Sequence, residues 1–277
     1  MLGLLSCLWC CAGCAKSSQP QAATAGAGGG TAMADGSAGA ADTGQVSNGG
    51  AASFPLAPAT RQLVTVITEN WTAVPAALQR FELAESGEWA AVGQPVAVVV
   101  GKSGLGWGRG IVPVPQDGGP IKKEGDGRSP AGIFALSSVF GYAPPDQATW
   151  VQLPYVQATD DLECVDDPAS IHYNQLVKKS GVASVDWNSS EIMKRGDTLY
   201  RWGVFVDHNT APTAPGAGSC IFLHLWSGPT SSTVGCTAGE ETKMKEVFGW
   251  LDPKKHPLLV QLPRVTYDAQ RAAWALP

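Results

Sequence analysis

The sequence predicts a mainly-β fold, a single β-barrel or sandwich domain with a few short helices. Short runs of β-branched and aromatic residues recur along the chain after residue 60. Turn residues separate them, with 33 glycines and 20 prolines among 277 residues. Only one later segment has clear helical spacing. Many short strands divided by Gly and Pro are typical of barrels and sandwiches rather than of parallel α/β sheets.

The predicted strands follow from two patterns, β-branched runs and alternation of apolar with polar residues. Residues 62–68 are a β-branched run, 78–83 alternate, and a third stretch begins at 88–89. The run 95–100 opens at a proline and ends before a glycine. The same patterns predict further strands at 131–136, 199–206, 219–226 and 258–263.

Helical signals are fewer. Apolar residues at helical spacing predict a helix over residues 239–251. Residues 167–177 are expected to form a short helix or an irregular loop, and residues 189–193 a helical turn. Residues 102–110 hold too many glycines for a helix and predict a long turn. This turn lacks the lysine-serine ending of a phosphate-binding loop and no helical pattern follows it, which excludes nucleotide binding there.

The first 55 residues differ in composition from the rest of the chain. Residues 1–14 are apolar, too short to span a membrane, and end in small residues before Cys14. They predict an export signal cut before a lipid-modified cysteine; a plain signal and a chance apolar start are the alternatives. Residues 15–55 are mostly Ala, Gly, Ser and Thr and predict a disordered tether. The folded domain is therefore expected over residues 56–277, anchored to a membrane through Cys14.

Composition excludes several classes of function. The formal net charge is −5 and no basic stripe occurs, so we expect no nucleic-acid partner. Three cysteines follow the signal: Cys164, Cys220 and Cys236. In an oxidising compartment this number predicts one disulfide and one free thiol, although the sequence does not show which cysteines meet. No close pair such as Cys-x-x-Cys occurs, so we expect no zinc site, and no cofactor is indicated.

Cys236 and His224 are the residues best placed for chemistry. Cys236 lies on a Gly-Cys turn, and His224 lies near the end of the preceding strand run. A thiol reacts as its thiolate, which an imidazole or a helix start favours, and the predicted helix 239–251 follows Cys236. The alternative is a buried structural cysteine beside an unrelated core histidine. His208 is a rival base, and either Asp207 or a backbone carbonyl is expected to orient the catalytic imidazole.

Two stretches resemble the L,D-transpeptidase family of bacterial envelope enzymes. Residues 125–134 include Ser-Pro-Ala-Gly-Ile-Phe, which is similar to the family's Thr/Ser-Pro-x-Gly-x-Phe strand entry. His224 with Thr-Val-Gly-Cys at 233–236 is similar to its His…Ser/Thr-x-Gly-Cys signature. The resemblance covers about residues 60–265. It implies a β-rich catalytic domain of the L,D-transpeptidase type, a cysteine acyl-enzyme and peptidoglycan stem peptides as the substrate.

The resemblance also implies roles for individual residues. Cys236 is the expected nucleophile, His224 the base, and the backbone at Val234 and Gly235 part of the oxyanion site. We expect substrate contacts from Thr233, Trp226, His208 and Arg128, with Lys122, Lys123, Asp166, Asp167 and Trp107 as further candidates. The alternatives are a solvated loop for Lys122, Lys123 and Arg128, a turn or helix cap for Asp166 and Asp167, and core packing for Trp107 and Trp226. The implied reaction is acyl transfer with release of D-Ala. We expect it in a monomer on the periplasmic side of the cell envelope, without cofactor or metal.

The chain also departs from the family pattern. Leu225 follows the histidine where glycine is usual, the separation 236 − 224 = 12 is short, and Ala238 replaces an expected Arg or Asn. Two alternatives stay open: an L,D-carboxypeptidase, in which water takes the acyl group, and a non-catalytic peptidoglycan-binding lipoprotein. A papain-like protease does not fit, because in that family the cysteine precedes the histidine.

Overall fold

The computed structural model describes residues 56, 58–115 and 118–277. The predicted signal at 1–14, the tether at 15–55 and the anchor Cys14 lie outside the described residues. The strands are β1 (Gln62–Thr68), β2 (Pro75–Leu83), β3 (Trp89–Val99), β4 (Leu105–Trp107), β5 (Ser129–Gly141), β6 (Tyr155–Gln157), β7 (Leu162–Val165), β8 (Leu176–Lys178), β9 (Ser190–Ile192), β10 (Trp202–Val206), β11 (Phe222–Leu225), β12 (Thr237–Gly239) and β13 (Leu258–Pro263). The α-helices are α1 (Glu241–Trp250) and α2 (Arg264–Gln270), and short 3₁₀ turns cover Pro145–Gln147, Lys179–Gly181 and Pro253–Lys255.

Eight strands close into a barrel. Their order is β10, β11, β12, β3, β2, β1, β13 and β5, and β5 pairs back with β10. Neighbours are antiparallel except for β1 with β13 and β11 with β12, which are parallel. Strands β4 and β6 extend the sheet as parallel partners of β5. The structure therefore confirms the mainly-β prediction and has the barrel rather than the sandwich.

The barrel is built around an apolar core. Leu63, Val66, Ile133 and Phe134 are fully buried and belong to one large apolar cluster. Helix α1 packs on β10 and β11 and buries one apolar stripe, which consists of Met244, Val247 and Phe248. Among the described residues, no helix has the length and apolar composition needed to cross a bilayer.

A small antiparallel sheet of three strands lies beside the barrel. Its order is β8, β7, β9. Cys164 of β7 forms a disulfide with Cys220, which precedes β11, at a Cα–Cα distance of 5.9 Å. Phe140, Tyr200 and Phe222 fill a second apolar cluster with these cysteines. The disulfide thus fastens the small sheet to the loop that leads into β11.

Most strand predictions are confirmed. The predicted runs 62–68 and 258–263 have the same bounds as β1 and β13, and the predicted helix 239–251 contains α1. One prediction in the small sheet is wrong, because residues 189–193 contain β9 instead of a helical turn. Of the two alternatives for residues 167–177, the irregular loop is confirmed up to residue 175, and β8 begins at Leu176. Strands this short gain their hydrogen bonds from distant partners, which local sequence does not reveal.

Candidate active site

The turn that carries Cys236 is held by two hydroxyl groups. Thr233 Oγ1 and Ser129 Oγ donate to the Cys236 carbonyl at 2.6 and 2.7 Å. Ser129 Oγ in turn accepts the Gly101 N–H at 2.8 Å, and Ser129 is fully buried. The two sequence motifs are therefore joined physically, because the serine of the Ser-Pro-Ala-Gly-Ile-Phe stretch positions the backbone of the cysteine.

The backbone N–H groups of the turn have different roles. The N–H of Gly235 donates to Thr233 Oγ1 at 3.1 Å and is occupied. The N–H groups of Val234 and Cys236 form no hydrogen bond with any of the described residues. A substrate oxyanion would therefore meet Val234 and Cys236 rather than Gly235, whose N–H shapes the turn.

Cys236 is a free thiol with 3% of its surface exposed. Its Sγ accepts the Phe222 N–H at 3.3 Å and lies 3.5 Å from the Cys220 carbonyl, to which the thiol donates. Burial raises the pKa of the thiol well above its usual range, and the Phe222 N–H opposes this only in part. The resting form of Cys236 is therefore the neutral thiol.

The expected helix-dipole effect on Cys236 is wrong. Strand β12 follows the cysteine directly, and α1 begins only at Glu241. The carboxylate of Glu240 caps this helix by accepting the N–H groups of Thr242 and Lys243, both at 3.0 Å. The start of helix α1 is thus already capped by a carboxylate, so it does not stabilise a thiolate at Cys236.

His224 is oriented by a backbone carbonyl. It lies on β11 opposite Ala238 of β12, and its side chain is 6% exposed. Its Nδ1 is 2.7 Å from the Leu225 carbonyl, which only accepts, so Nδ1 carries the proton and the lone pair is on Nε2. Burial lowers the pKa of His224 to about 4, so the imidazole is neutral at pH 7. Asp207, the other expected partner, instead accepts from Ser137 at 2.6 Å.

Cys236 lies between two cavities. Cavity A, of about 200 Å³, contains both Cys236 and His224 in its wall. Its other lining residues are Arg195, Leu199, Tyr200, Leu225, Trp226, Ser227, Ser231, Ser232, Thr233, Val234 and Ala238. Two of the predicted substrate contacts, Thr233 and Trp226, are thus brought to the cysteine.

Cavity B, of about 230 Å³, reaches Cys236 from the side of the small sheet. Its wall is charged, in contrast to that of cavity A. The lining residues are Lys102, Lys122, Glu124, Gly125, Gly127, Asp166, Glu191, Ser219, Cys220, Ile221, Val234, Gly235 and Cys236. The candidates Lys122 and Asp166 are therefore at the site, whereas Asp167 accepts the N–H groups of Ala169 and Asn188 outside it.

His208 lies outside both cavities, and both nitrogens of its ring are hydrogen-bonded. Nδ1 accepts the Arg109 N–H at 3.2 Å, so Nε2 carries the proton and donates to the Ala217 carbonyl at 3.0 Å. The ring packs edge-on against Phe134, and burial lowers the pKa of His208 to about 3. This placement does not support the predicted roles in substrate binding or proton transfer, because no ring nitrogen is left for a ligand.

Arg128 is also a structural residue in this arrangement. Its guanidinium donates to the carbonyls of Ser103 and Leu105 at 2.7 and 2.9 Å, which fixes the glycine-rich turn. Neither cavity has Arg128 in its wall. Trp107 is buried against Trp71 with ring centroids 5.2 Å apart, which fits the core role rather than a cleft wall.

Two residues at the site were missed by sequence reasoning. The Tyr200 hydroxyl donates to Glu191 Oε2, and the Tyr200 ring meets the His224 ring edge-on at 5.0 Å. Glu191 comes from β9, a strand that was predicted as a helical turn. Neither residue lies in a motif, so only the folding of the small sheet onto the barrel reveals them.

Two further observations concern metal binding and a recess elsewhere on the barrel. Among the described residues, no group of three or more His, Cys, Asp or Glu side chains has the arrangement of a metal site. A larger recess of about 510 Å³, lined by Arg109, Ile111 and Asp207 among others, contains neither Cys236 nor His224.

In comparisons with protein-family models, with curated proteins and with solved structures, no match to the chain was found.

Proposed function

We propose that the chain is a cysteine acyltransferase of the L,D-transpeptidase type that acts on peptidoglycan stem peptides. The observation that carries the proposal is a free thiol and a neutral imidazole in the wall of one cavity, with the imidazole oriented by the Leu225 carbonyl. The two motifs that resemble the family add support, because Ser129 of the first holds the Cys236 carbonyl of the second.

The first half-reaction is acylation of Cys236. The donor is the peptide bond between diaminopimelate and the terminal D-Ala of the stem. His224 Nε2 takes the thiol proton as sulfur attacks the carbonyl carbon, and this proton then passes to the leaving amine of D-Ala. The S–C bond forms, the C–N bond breaks, and a thioester remains.

Proton transfer during attack suits the energetics of the pair. Burial raises the pKa of the Cys236 thiol and lowers that of the His224 imidazole, so a resting ion pair is disfavoured. The N–H groups of Val234 and Cys236 are the free donors for the developing oxyanion. One preorganised donor of this kind contributes about 3 kcal/mol to transition-state stabilisation.

The second half-reaction cleaves the thioester and regenerates the free Cys236 thiol. An amine of a neighbouring stem attacks the thioester and gives a crosslink, whereas attack by water gives the L,D-carboxypeptidase. We propose the transferase because Cys236 is reached through a second, charged cavity, which offers a separate path to the thioester. The proposed setting is the periplasmic side of the envelope, with a lipid anchor at Cys14 and the catalytic domain as a monomer.

Intact-mass spectrometry with a carbapenem tests the acylation step. The wild-type chain should gain one covalent adduct, and Cys236→Ala should gain none. His224→Asn should react far more slowly, whereas the matched control His256→Asn should react normally. His256 is exposed at a left-handed position (φ of 46°), which asparagine tolerates. A folded wild-type chain without an adduct would favour the non-catalytic binding lipoprotein.

A further inference from the structure

Cavity B contains carboxylates that are not all satisfied by the protein. Lys122 is buried and its ammonium pairs with Asp126 at 2.7 Å, so its charge is neutralised locally. Glu124 accepts from the hydroxyls of Tyr173 and Ser219. One carboxylate oxygen of Asp166, in contrast, is buried and has no hydrogen-bond partner among the described residues. A buried carboxylate oxygen without a donor is costly, and a cationic ligand in the cavity would satisfy it.

Glu191 is the carboxylate most closely linked to the nucleophile. It shares the wall of cavity B with Cys236, and its Oε2 accepts the Tyr200 hydroxyl. The same Tyr200 packs edge-on against His224 in cavity A. Tyr200 therefore stands between the two cavities, with the imidazole on one side and Glu191 on the other.

We propose that Glu191 is a second catalytic base, which takes a proton from a primary ammonium that enters through cavity B to attack the acyl group on Cys236. This inference rests on the proposed acylation of Cys236. Asp166 binds the incoming ammonium. His224 lies on the cavity A side of the sulfur and passes a proton to the leaving group, which is the D-Ala amine in acylation and the sulfur itself in aminolysis. The two half-reactions thus use two different bases.

The proton and the bonds balance in this step. The ammonium gives one proton to the Glu191 carboxylate and becomes a neutral amine. Its nitrogen attacks the thioester carbon, the N–C bond forms and the C–S bond breaks. The second amine proton goes to the departing sulfur of Cys236 through His224, which restores the neutral thiol. Glu191 returns its proton to solvent through cavity B.

The electrostatic surroundings suit a base that works near neutral pH. Burial raises the pKa of Glu191 to about 7, and the Tyr200 hydroxyl opposes this shift by hydrogen bonding. Below that value Glu191 is already protonated and cannot take a proton from an ammonium, so the step should slow as the pH falls through about 7. The titratable or charged groups that act on Glu191 or share its cavity are Tyr200, Asp166, Arg195, Glu124, Lys102, Lys122 and Cys236.

The test separates the two half-reactions in the full chain. The donor is a tetrapeptide stem that ends in D-Ala, and the acceptor probe is glycinamide, a primary amine without a carboxylate. Released D-Ala reports acylation, and the amide product reports aminolysis. Glu191→Gln should acylate normally but make the amide about 100-fold more slowly at pH 8, the usual scale for removing a general base. Its aminolysis should also lose the pH dependence near 7.

Glu163→Gln is the matched control for the fold of the small sheet. Glu163 lies on β7 of the same sheet, where its carboxylate binds Trp187 and Ser190, and it does not line cavity B. Asp166→Asn gives a second readout, a raised KM for glycinamide with little change in kcat. Equal aminolysis by wild type and Glu191→Gln at every pH would overturn the inference while the acylation proposal stands. Absence of D-Ala release from the wild type would instead refute the proposed function.

Discussion

The barrel and the small sheet are stabilised in different ways. The barrel has eight strands in a closed ring, with fully buried apolar residues at its centre. The small sheet has three short strands, which are held by polar bonds, one disulfide and the smaller second apolar cluster. Glu163 illustrates this, because its carboxylate accepts from Trp187, Ser190 and Lys179 at 2.7 to 3.1 Å.

In the proposed mechanism, the barrel and the small sheet serve different half-reactions. The barrel provides the proposed nucleophile and first base, with His224 on β11 and Cys236 on the turn directly before β12. Glu191 lies on β9 of the small sheet and Asp166 directly follows β7, the strand that the disulfide joins to the loop before β11. We therefore expect acylation to depend on the barrel alone, whereas aminolysis should need both parts of the molecule.

Loss of either barrel residue should have the largest effect. Cys236→Ala should abolish D-Ala release, and His224→Asn should reduce it by roughly 10²- to 10⁴-fold, because the buried thiol has no other base in cavity A. The measurement is the rate of D-Ala release from the tetrapeptide. Thermal unfolding of each variant serves as the control for folding. Full activity in folded His224→Asn would contradict the assignment of the base.

The two bases should give separate pH limbs. Because the pKa of His224 is about 4, acylation should persist in weakly acidic buffer and fall about tenfold per pH unit only below that value. Aminolysis should already fall through about pH 7, where Glu191 becomes protonated. Single-turnover rates from pH 3.5 to 9 measure both limbs. A single shared limb near pH 7 would mean that both steps use one base.

Removal of the disulfide should loosen the small sheet more than the barrel. Cys164 and Cys220 are 56 residues apart, and a crosslink over such a loop stabilises a fold by about 4 kcal/mol in the chain-entropy account. The double variant Cys164→Ala/Cys220→Ala should unfold at a lower temperature and lose amide-exchange protection first in β7 and β9. Aminolysis should suffer more than acylation. Equal loss of protection in β1 and β13 would argue against two differently stabilised parts.

Ser129→Ala should weaken the positioning of the nucleophile. The variant removes the donor to the Cys236 carbonyl and the acceptor of the Gly101 N–H, at a cost of about 1 to 3 kcal/mol. We expect slower acylation with an unchanged pH limb, because Ser129 holds the turn without touching the substrate. Thr233→Val removes the other hydroxyl and should act in the same direction. An Ser129→Ala variant with wild-type acylation would refute this role.

Glu240→Ala should have the smallest effect on chemistry. It removes the N-cap of α1 and should cost about 1 kcal/mol of stability. Because β12 separates Cys236 from the helix, the reactivity of the thiol should not change. The rate of carbapenem acylation at pH 7 measures this. A marked change in that rate would restore the helix-dipole interpretation of the cysteine.

The same contrast explains what the sequence could predict. The barrel strands β1 and β13 were predicted to the residue, because β1 is a β-branched run and β13 a leucine-rich apolar run, and such runs are buried on a sheet whatever their partners. Cys236 and His224 were found from a turn and a strand end that lie close together in the chain. Strands β8 and β9 were missed because their three-residue segments pair only through long-range contacts.

The remaining parts of the site could not be predicted from the sequence, because they depend on contacts between residues that are far apart in the chain. Nothing near Glu191 in the sequence indicates that Tyr200 will bind it or that a cavity will join it to the cysteine. Arg128 and His208 were predicted as substrate contacts. Their hydrogen bonds to backbone groups, which only the fold brings within reach, are what turn them into structural residues.

The most direct measurement is the intact mass of the full chain after rapid mixing with a tetrapeptide stem. We expect a gain in mass equal to the donor less D-Ala, located by proteolysis on the peptide that contains Cys236 and absent from Cys236→Ala. A folded wild-type chain that takes up no acyl group and releases no D-Ala, although its thiol is alkylated after unfolding, would contradict the proposed acylation.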